Sequence, residues 1–92
     1  MSELDKLEQY LKGNGYIYTR IEEDDNRKEY AIHQIKVFGQ DGEYSWDVIC
    51  QRGSYGFEHG LLEIYGNIVT EEDGDSVVGW LTAEDVIRRL KG

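Results

Sequence analysis

The chain contains a single cysteine, no proline and no apolar run approaching the roughly 20 residues needed to cross a bilayer. Cys50 has no partner for a disulfide within the chain, so nothing in the sequence requires an oxidising compartment. Residues 1–5 lack both the basic residues and the apolar stretch that open a secretory signal. These absences predict a cytoplasmic protein that does not contact membranes.

Basic residues are also scarce, with 10 Lys and Arg against 19 Asp and Glu, which gives a net charge of −9. An acidic surface repels phosphate backbones and anionic lipid, so direct nucleic-acid binding is not expected. The same surface attracts and steers a basic protein partner. Solubility alone is the alternative explanation of the charge.

Residue patterns that hold metals or perform covalent catalysis are missing as well. The acidic stretch 71–75 lacks the alternating oxygen ligands and the downstream glutamate of a calcium loop. His59 and Glu63 stand four residues apart, as in an ordinary pair on a helix surface. Strand alternation places Cys50 on the buried face, where a thiol is normally inert, so its pairing with His33 does not indicate a nucleophile. We therefore expect no enzyme activity, no metal and no cofactor.

The length of 92 residues, with 39% hydrophobic and 12% aromatic residues, predicts one folded domain over residues 1–92. Ser2 caps a first helix, which we expect over Glu3–Lys12. Runs rich in β-branched and aromatic residues then predict three strands joined as an antiparallel meander. These strands are Tyr16–Ile21, Tyr30–Phe38 and Tyr44–Cys50.

Helical spacing recurs in the second half of the chain. Phe57, Leu61, Leu62, Ile64 and Tyr65 predict a second helix that ends at Gly66. Residues 77–80 predict a short extended segment, and Thr82 caps a last helix. The expected fold is thus of the α+β class, a three-stranded antiparallel meander with helices in the order α-β-β-β-α-α.

Alternation along the strands sorts their residues between two sheet faces. The expected core face carries Ile17, Thr19, Ile21, Ala31, His33, Ile35, Val37, Tyr44, Trp46, Val48 and Cys50. The opposite face carries Tyr16, Tyr18, Arg20, Tyr30, Ile32, Gln34, Lys36, Phe38, Ser45, Asp47, Ile49 and Gln51. That second face is richer in aromatic residues than a solvent face requires, and we expect the last helix to cover part of it or a homodimer to form through it.

Three segments carry a resemblance to known proteins, namely residues 33–38, 47–56 and 79–87. They resemble small uncharacterised proteins of phages and prophages of Gram-positive bacteria, over about two-thirds of the chain. The predicted element order and acidity are also similar to small anti-CRISPR proteins that imitate DNA and block the PAM-reading site of a CRISPR nuclease. The resemblance implies a phage-encoded accessory protein and transfers no catalytic residue.

Two acidic clusters and the glycine-rich loop of residues 53–60 are the candidate contact sites for a basic protein of the host or the phage. Carboxylates there would compete with nucleic acid for a basic surface, whereas a structural or assembly role is the alternative function. Both clusters are equally compatible with solvated loops. The candidate residues are Glu22, Glu23, Asp24, Asp25, Glu71, Glu72, Asp73 and Asp75, together with Tyr55 and Phe57.

Overall fold

In the computed structural model, which describes residues 1–23 and 32–92, the chain forms a helix near each end and antiparallel strands between them. The elements in chain order are α1 (Glu3–Gly13), β1 (Ile17–Glu23), β2 (Ile32–Phe38), β3 (Tyr44–Ile49), β4 (Leu62–Gly66), β5 (Val77–Leu81) and α2 (Ala83–Lys91). Single 3-10 turns, Phe57–His59 and Glu71–Asp73, precede β4 and β5. The α+β class is confirmed, but the order over the described residues is α-β-β-β-β-β-α.

Both helices begin at the predicted caps. Ser2 Oγ accepts the backbone N–H of Asp5 at 3.0 Å, and Thr82 Oγ1 accepts that of Asp85 at 3.1 Å. Each bond satisfies an amide that has no partner inside its own helix. No helix in the described part of the chain is long and apolar enough to span a membrane.

The sheet is a meander in which each strand pairs antiparallel with the next along the chain, in the spatial order β1-β2-β3-β4-β5. The predicted pairing of the first three strands is confirmed, but the meander does not stop at three strands. It continues through β4 and β5, so β1 and β5 form the two edges. The expected second helix is therefore wrong, and the expected extended segment at residues 77–80 is confirmed as β5.

Two buried residues explain why the segment before Gly66 is a strand. Leu62 and Ile64 are both fully buried, whereas Tyr65 is half exposed, which is a period of two rather than 3.6. Gly66 has φ 106°, and a Cβ there would lie 2.7 Å from Trp46 Cα, so β4 approaches β3 more closely than a side chain permits. Phe57 is one of the residues whose spacing predicted a helix here, but it is not buried, so the helical spacing did not mark a buried helix face.

Both helices pack on one side of the sheet, which we call the inner face. α1 contributes Leu4, Leu7 and Leu11, and α2 contributes Ala83 and Val86. The buried strand residues that they meet are Ile35, Val37, Trp46, Val48, Leu62 and Ile64. The predicted core positions on β2 and β3 that appear in this list are thus confirmed.

Tyr44 on β3, expected in the core, is 45% exposed, and strand β1 departs from the predicted face assignment throughout. Tyr18 is paired with Val37 and Arg20 with Ile35, so these β1 residues point to the inner face. Ile17, expected in the core, is 43% exposed. The alternation is inverted because Arg20 binds carboxylates of α1, and this ion pairing places a charged side chain where the apolar pattern predicts an aliphatic one.

The outer face, on the side of the sheet away from both helices, carries a mixture of aliphatic, aromatic and polar side chains. The pairing register assigns to it Ile17, Thr19, Ile21, Glu23, Ile32, Gln34, Lys36, Phe38, Asp47, Ile49, Glu63, Tyr65 and Val77. The expectation that a helix covers part of this face is wrong, because α2 joins α1 on the inner face.

Candidate protein-binding surfaces

The loop between β4 and β5 holds the second predicted acidic cluster in a fixed conformation. The backbone N–H of Thr70 donates to Asp73 Oδ2 at 2.8 Å, and the Asp73 N–H donates to the Thr70 carbonyl at 3.1 Å. Gly74, at φ 74°, ends the 3-10 turn in the left-handed region, where glycine has no steric cost. We call residues 70–76 the acidic loop.

One member of that cluster anchors the acidic loop to α2. Arg89 donates from Nη1 to Asp73 Oδ2 at 2.9 Å and from Nη2 to Asp73 Oδ1 at 2.8 Å. Arg89 Nη1 also donates to the Ile68 carbonyl at 3.2 Å. The Arg89 guanidinium, followed by the Thr70 amide, holds the pKa of Asp73 well below its usual range. Asp73 therefore has a structural partner already.

The other carboxylates of the acidic loop face solvent. Glu71, Glu72 and Asp75 are exposed, and no Lys, Arg or His nitrogen among the described residues lies within 4 Å of them. Glu71 and Asp75 line a shallow groove of about 350 Å³ together with Tyr65, which is 50% exposed. Carboxylates beside an aromatic ring suit a lysine or arginine side chain.

The first predicted acidic cluster is organised differently, around Arg20. The Arg20 guanidinium donates to Asp5 Oδ1 at 2.7 Å and to Glu8 Oε1 at 2.8 Å on α1, and to Glu22 Oε1 at 2.5 Å. Burial opposes the charged form of Arg20, but its bonds to the three carboxylates outweigh that effect and raise its pKa. Glu22 is thus part of the contact that holds β1 against α1.

The remaining members of the first cluster are not grouped with Glu22 in one described site. Glu23 is exposed at the end of β1, whereas Asp24 and Asp25 lie outside the described residues. In an antiparallel meander, the ends of β1 and β4 lie at opposite ends of the sheet, and β1 is the edge farthest from β5. Glu22 and Glu23 therefore lie diagonally across the sheet from the acidic loop.

The glycine-rich loop places its predicted contact residues on the surface. Tyr55 is 57% exposed and Phe57 is 38% exposed. The Tyr55 N–H donates to Glu63 Oε1 at 3.2 Å, and the Tyr55 carbonyl accepts from Trp80 N–H at 3.3 Å. These bonds fasten the loop across β4 and β5 on the outer face.

Trp80 belongs to this aromatic surface, although no pattern in the sequence predicts that its ring is exposed. The pairing register shifts between β4 and β5, and Trp80 at this irregularity has φ 62°, in the left-handed region that non-glycine residues seldom adopt. Its side chain is 55% exposed, with the His59 ring centroid 5.7 Å from its own. We call Tyr55, Phe57, His59 and Trp80 the aromatic corner.

The cysteine and histidine that sequence reasoning set aside are neighbours in the fold. The Cys50 N–H donates to the His33 carbonyl at 3.0 Å, and both residues line a groove of about 620 Å³ with Glu22. Burial raises the pKa of the Cys50 thiol, which keeps it protonated at neutral pH. No hydrogen bond among the described residues joins the thiol to the imidazole, so the pair lacks the geometry of an activated nucleophile.

The fold and these surfaces define a two-layer α+β protein with an acidic loop and an exposed aromatic corner. Within residues 1–23 and 32–92, no three His, Cys, Asp or Glu side chains are grouped closely enough to hold a metal ion. Comparison of the chain with protein-family models, with curated proteins and with solved structures gives no match.

Proposed function

We propose that this protein is a non-enzymatic accessory protein that binds a basic protein and competes with nucleic acid for the basic surface of that partner. The observation that carries this proposal is the groove of Tyr65, Glu71 and Asp75, which combines two carboxylates with an aromatic ring. In keeping with the resemblance to phage and prophage proteins, we propose that the partner is a nucleic-acid-binding protein of the host or the phage.

The rigidity of the acidic loop supports this function. Carboxylates that imitate phosphates bind more tightly when their positions are fixed before binding, because less conformational entropy is lost. The Arg89–Asp73 ion pair and the left-handed Gly74 provide that fixation. Glu71, Glu72 and Asp75 are consequently held together at a separation that the fold, and not the partner, determines.

The aromatic corner is a second contact surface for the same class of partner. Tryptophan and tyrosine dominate the binding energy of protein interfaces because they bury large areas at little entropic cost. The rings of Tyr55 and Trp80 also attract lysine and arginine side chains, at roughly 0.5–1 kcal/mol for an exposed pair. A basic partner therefore gains from both the carboxylates and the rings.

Affinity capture from a bacterial lysate with three immobilised forms of the protein tests the proposal. The forms are the wild type, an acidic-loop variant (Glu71→Gln, Glu72→Gln, Asp75→Asn) and a control variant (Glu43→Gln, Glu58→Gln, Glu84→Gln) that removes the same charge from other exposed positions. We expect the wild type and the control to retain a basic nucleic-acid-binding protein that added duplex DNA releases, and the acidic-loop variant to lose it. Equal retention by all three forms, or release by neither DNA nor salt, contradicts the proposal.

A further inference from the structure

Among the described residues, neither helix packs on the outer face of the sheet, and the loop at Tyr55 crosses only its β4–β5 end. The apolar residues of the outer face, such as Ile21, Phe38 and Ile49, are not among the side chains that pack against the core. Ile17 and Tyr65 are 43% and 50% exposed. An antiparallel sheet with one solvated face usually carries polar residues on that face, so the aliphatic and aromatic side chains that lie among the polar ones here favour an interface.

Opposite charges lie next to each other on the outer face. Its register positions carry one lysine, Lys36, and three carboxylates, Glu23, Asp47 and Glu63. Lys36 and Asp47 are paired across β2 and β3 at the centre of the face. Asp47 is held in place by Gln34 Nε2, which donates to its Oδ2 at 3.0 Å, and by the Tyr44 hydroxyl. No carboxylate of the described residues lies within 4 Å of the Lys36 ammonium.

We propose that this face binds a second copy of the chain, sheet against sheet, to form a two-fold symmetric dimer. A two-fold axis that runs along the strands between β2 and β3 places Lys36 opposite Asp47 of the second copy, and Asp47 opposite Lys36 of the second copy. An axis across the strands would instead oppose like charges, so charge complementarity selects the first arrangement. The proposal does not require the proposed function, since it uses the apolar residues and the Lys36–Asp47 pair of the outer face and not the carboxylates of the acidic loop, and the two share only Tyr65.

The size of the face determines how strong this dimer can be. The axis between β2 and β3 lets only β1–β4 overlap, and four strands about 4.8 Å apart with about six residues each at about 3.3 Å give a footprint on the order of 400 Å² per copy. A standard interface buries roughly 800 Å² per partner, and specific interfaces begin at roughly 500 Å². Side-chain relief adds to the flat footprint, so we expect a weak dimer with a Kd of roughly 10–100 μM.

Analytical ultracentrifugation of the full chain tests this inference, with salt varied between about 0.05 and about 0.5 M, a range over which the Debye length falls from more than 10 Å to less than 8 Å. Because two copies of a −9 protein repel, salt should strengthen the dimer, whereas salt should weaken binding of a basic partner. Failure of one proposal is thus distinguishable from failure of the other.

Charge reversals identify the face. Lys36→Glu and Asp47→Lys should each weaken the dimer at least tenfold, since like charges then oppose across the axis, and the double variant should restore it. Ile21→Glu, which the same axis places opposite Glu63 of the second copy, should weaken it as well, with circular dichroism to verify that each variant is folded. A wild-type protein that stays monomeric up to about 500 μM, well above the expected Kd, overturns the proposal. A dimer that persists unchanged in all the single variants, or that the double variant fails to restore, overturns it too.

Discussion

Both faces of the sheet carry apolar residues, but the surroundings of the two faces differ. On the inner face, Trp46 is 2% exposed and Val48 is fully buried beneath the helices. On the outer face, Tyr65 is 50% exposed beside the acidic loop. A row of apolar residues thus identifies a surface to be covered, but it does not by itself identify what covers that surface.

The largest expected difference between the faces is in stability. Trp46→Ala should lower the free energy of unfolding by about 3–5 kcal/mol, because it removes a large buried side chain and leaves a cavity. Tyr65→Ala on the outer face should cost about 1 kcal/mol or less, as for other half-exposed residues. Urea unfolding of both variants at low protein concentration measures the difference. Equal losses would mean that the outer face is also part of the core.

The second largest effect on stability should come from Arg20, a charged residue on the inner face. Arg20→Met should cost about 1–3 kcal/mol, since it removes hydrogen bonds between charged groups and leaves Asp5, Glu8 and Glu22 to repel one another. Added salt should recover part of the loss. Lys36→Met on the outer face is the matched control, and it should change stability by no more than about 0.5 kcal/mol. If Arg20→Met leaves the free energy of unfolding unchanged, the ion pairs of β1 do not contribute to stability.

Acid should weaken the anchor of the acidic loop. The pKa of Asp73 is depressed in the folded protein, so its contribution to stability is fully present above the unfolded value of roughly 3.9 and is lost as pH falls through the folded pKa. Asp73→Asn should therefore be less stable than the wild type at neutral pH, and the two should converge in strong acid. Asp75→Asn is the control and should match the wild type throughout, because its carboxylate makes no ion pair with the described residues. A constant gap between wild type and Asp73→Asn at all pH values would contradict this linkage.

The smallest effect concerns Cys50 at the end of the inner face. Cys50→Ala should cost about 1 kcal/mol, through a small loss of packing, and leave partner binding intact. A thiol reagent should label the native protein slowly at neutral pH, because burial raises the pKa of the thiol, and should label the urea-unfolded protein faster. Rapid native labelling would indicate that the thiol is activated by its surroundings.

The fold was predictable where one local signal dominates. Ser2 and Thr82 are strong caps, so α1 and α2 could be predicted from the sequence. The alternation of Trp46 and Val48 does not fit a helical period, so β3 could be predicted as well. β4 could not be predicted, because Leu61, Leu62 and Tyr65 fit a helical period as well as an extended one. The predicted assignment of β1 residues to the two faces was inverted, because the ion pairs between Arg20 and α1 override the apolar alternation. Such a long-range contact leaves no local pattern in the sequence.

For the candidate surfaces, the sequence predicts which residues are present but not how they are arranged. The acidic residues of the second cluster are visible in the sequence, but the sequence does not show that Asp73 is paired with Arg89 and that Glu71 and Asp75 border a groove. Tyr55 and Phe57 were expected on an exposed turn, as the structure has them. Trp80 was missed because its exposure depends on a pairing irregularity between β4 and β5.

A titration of the 15N-labelled protein with deca-lysine, followed by backbone amide shifts at low salt, tests the role of the acidic loop most directly. We expect the largest shifts in residues 65–76, with loss of these shifts in the acidic-loop variant and at high salt. The control variant, with the same net charge, should shift as the wild type does. Shifts that are spread evenly over all exposed carboxylates, or concentrated at Glu22 and Glu23, would contradict the account, because the structured groove would then have no preference for a basic partner.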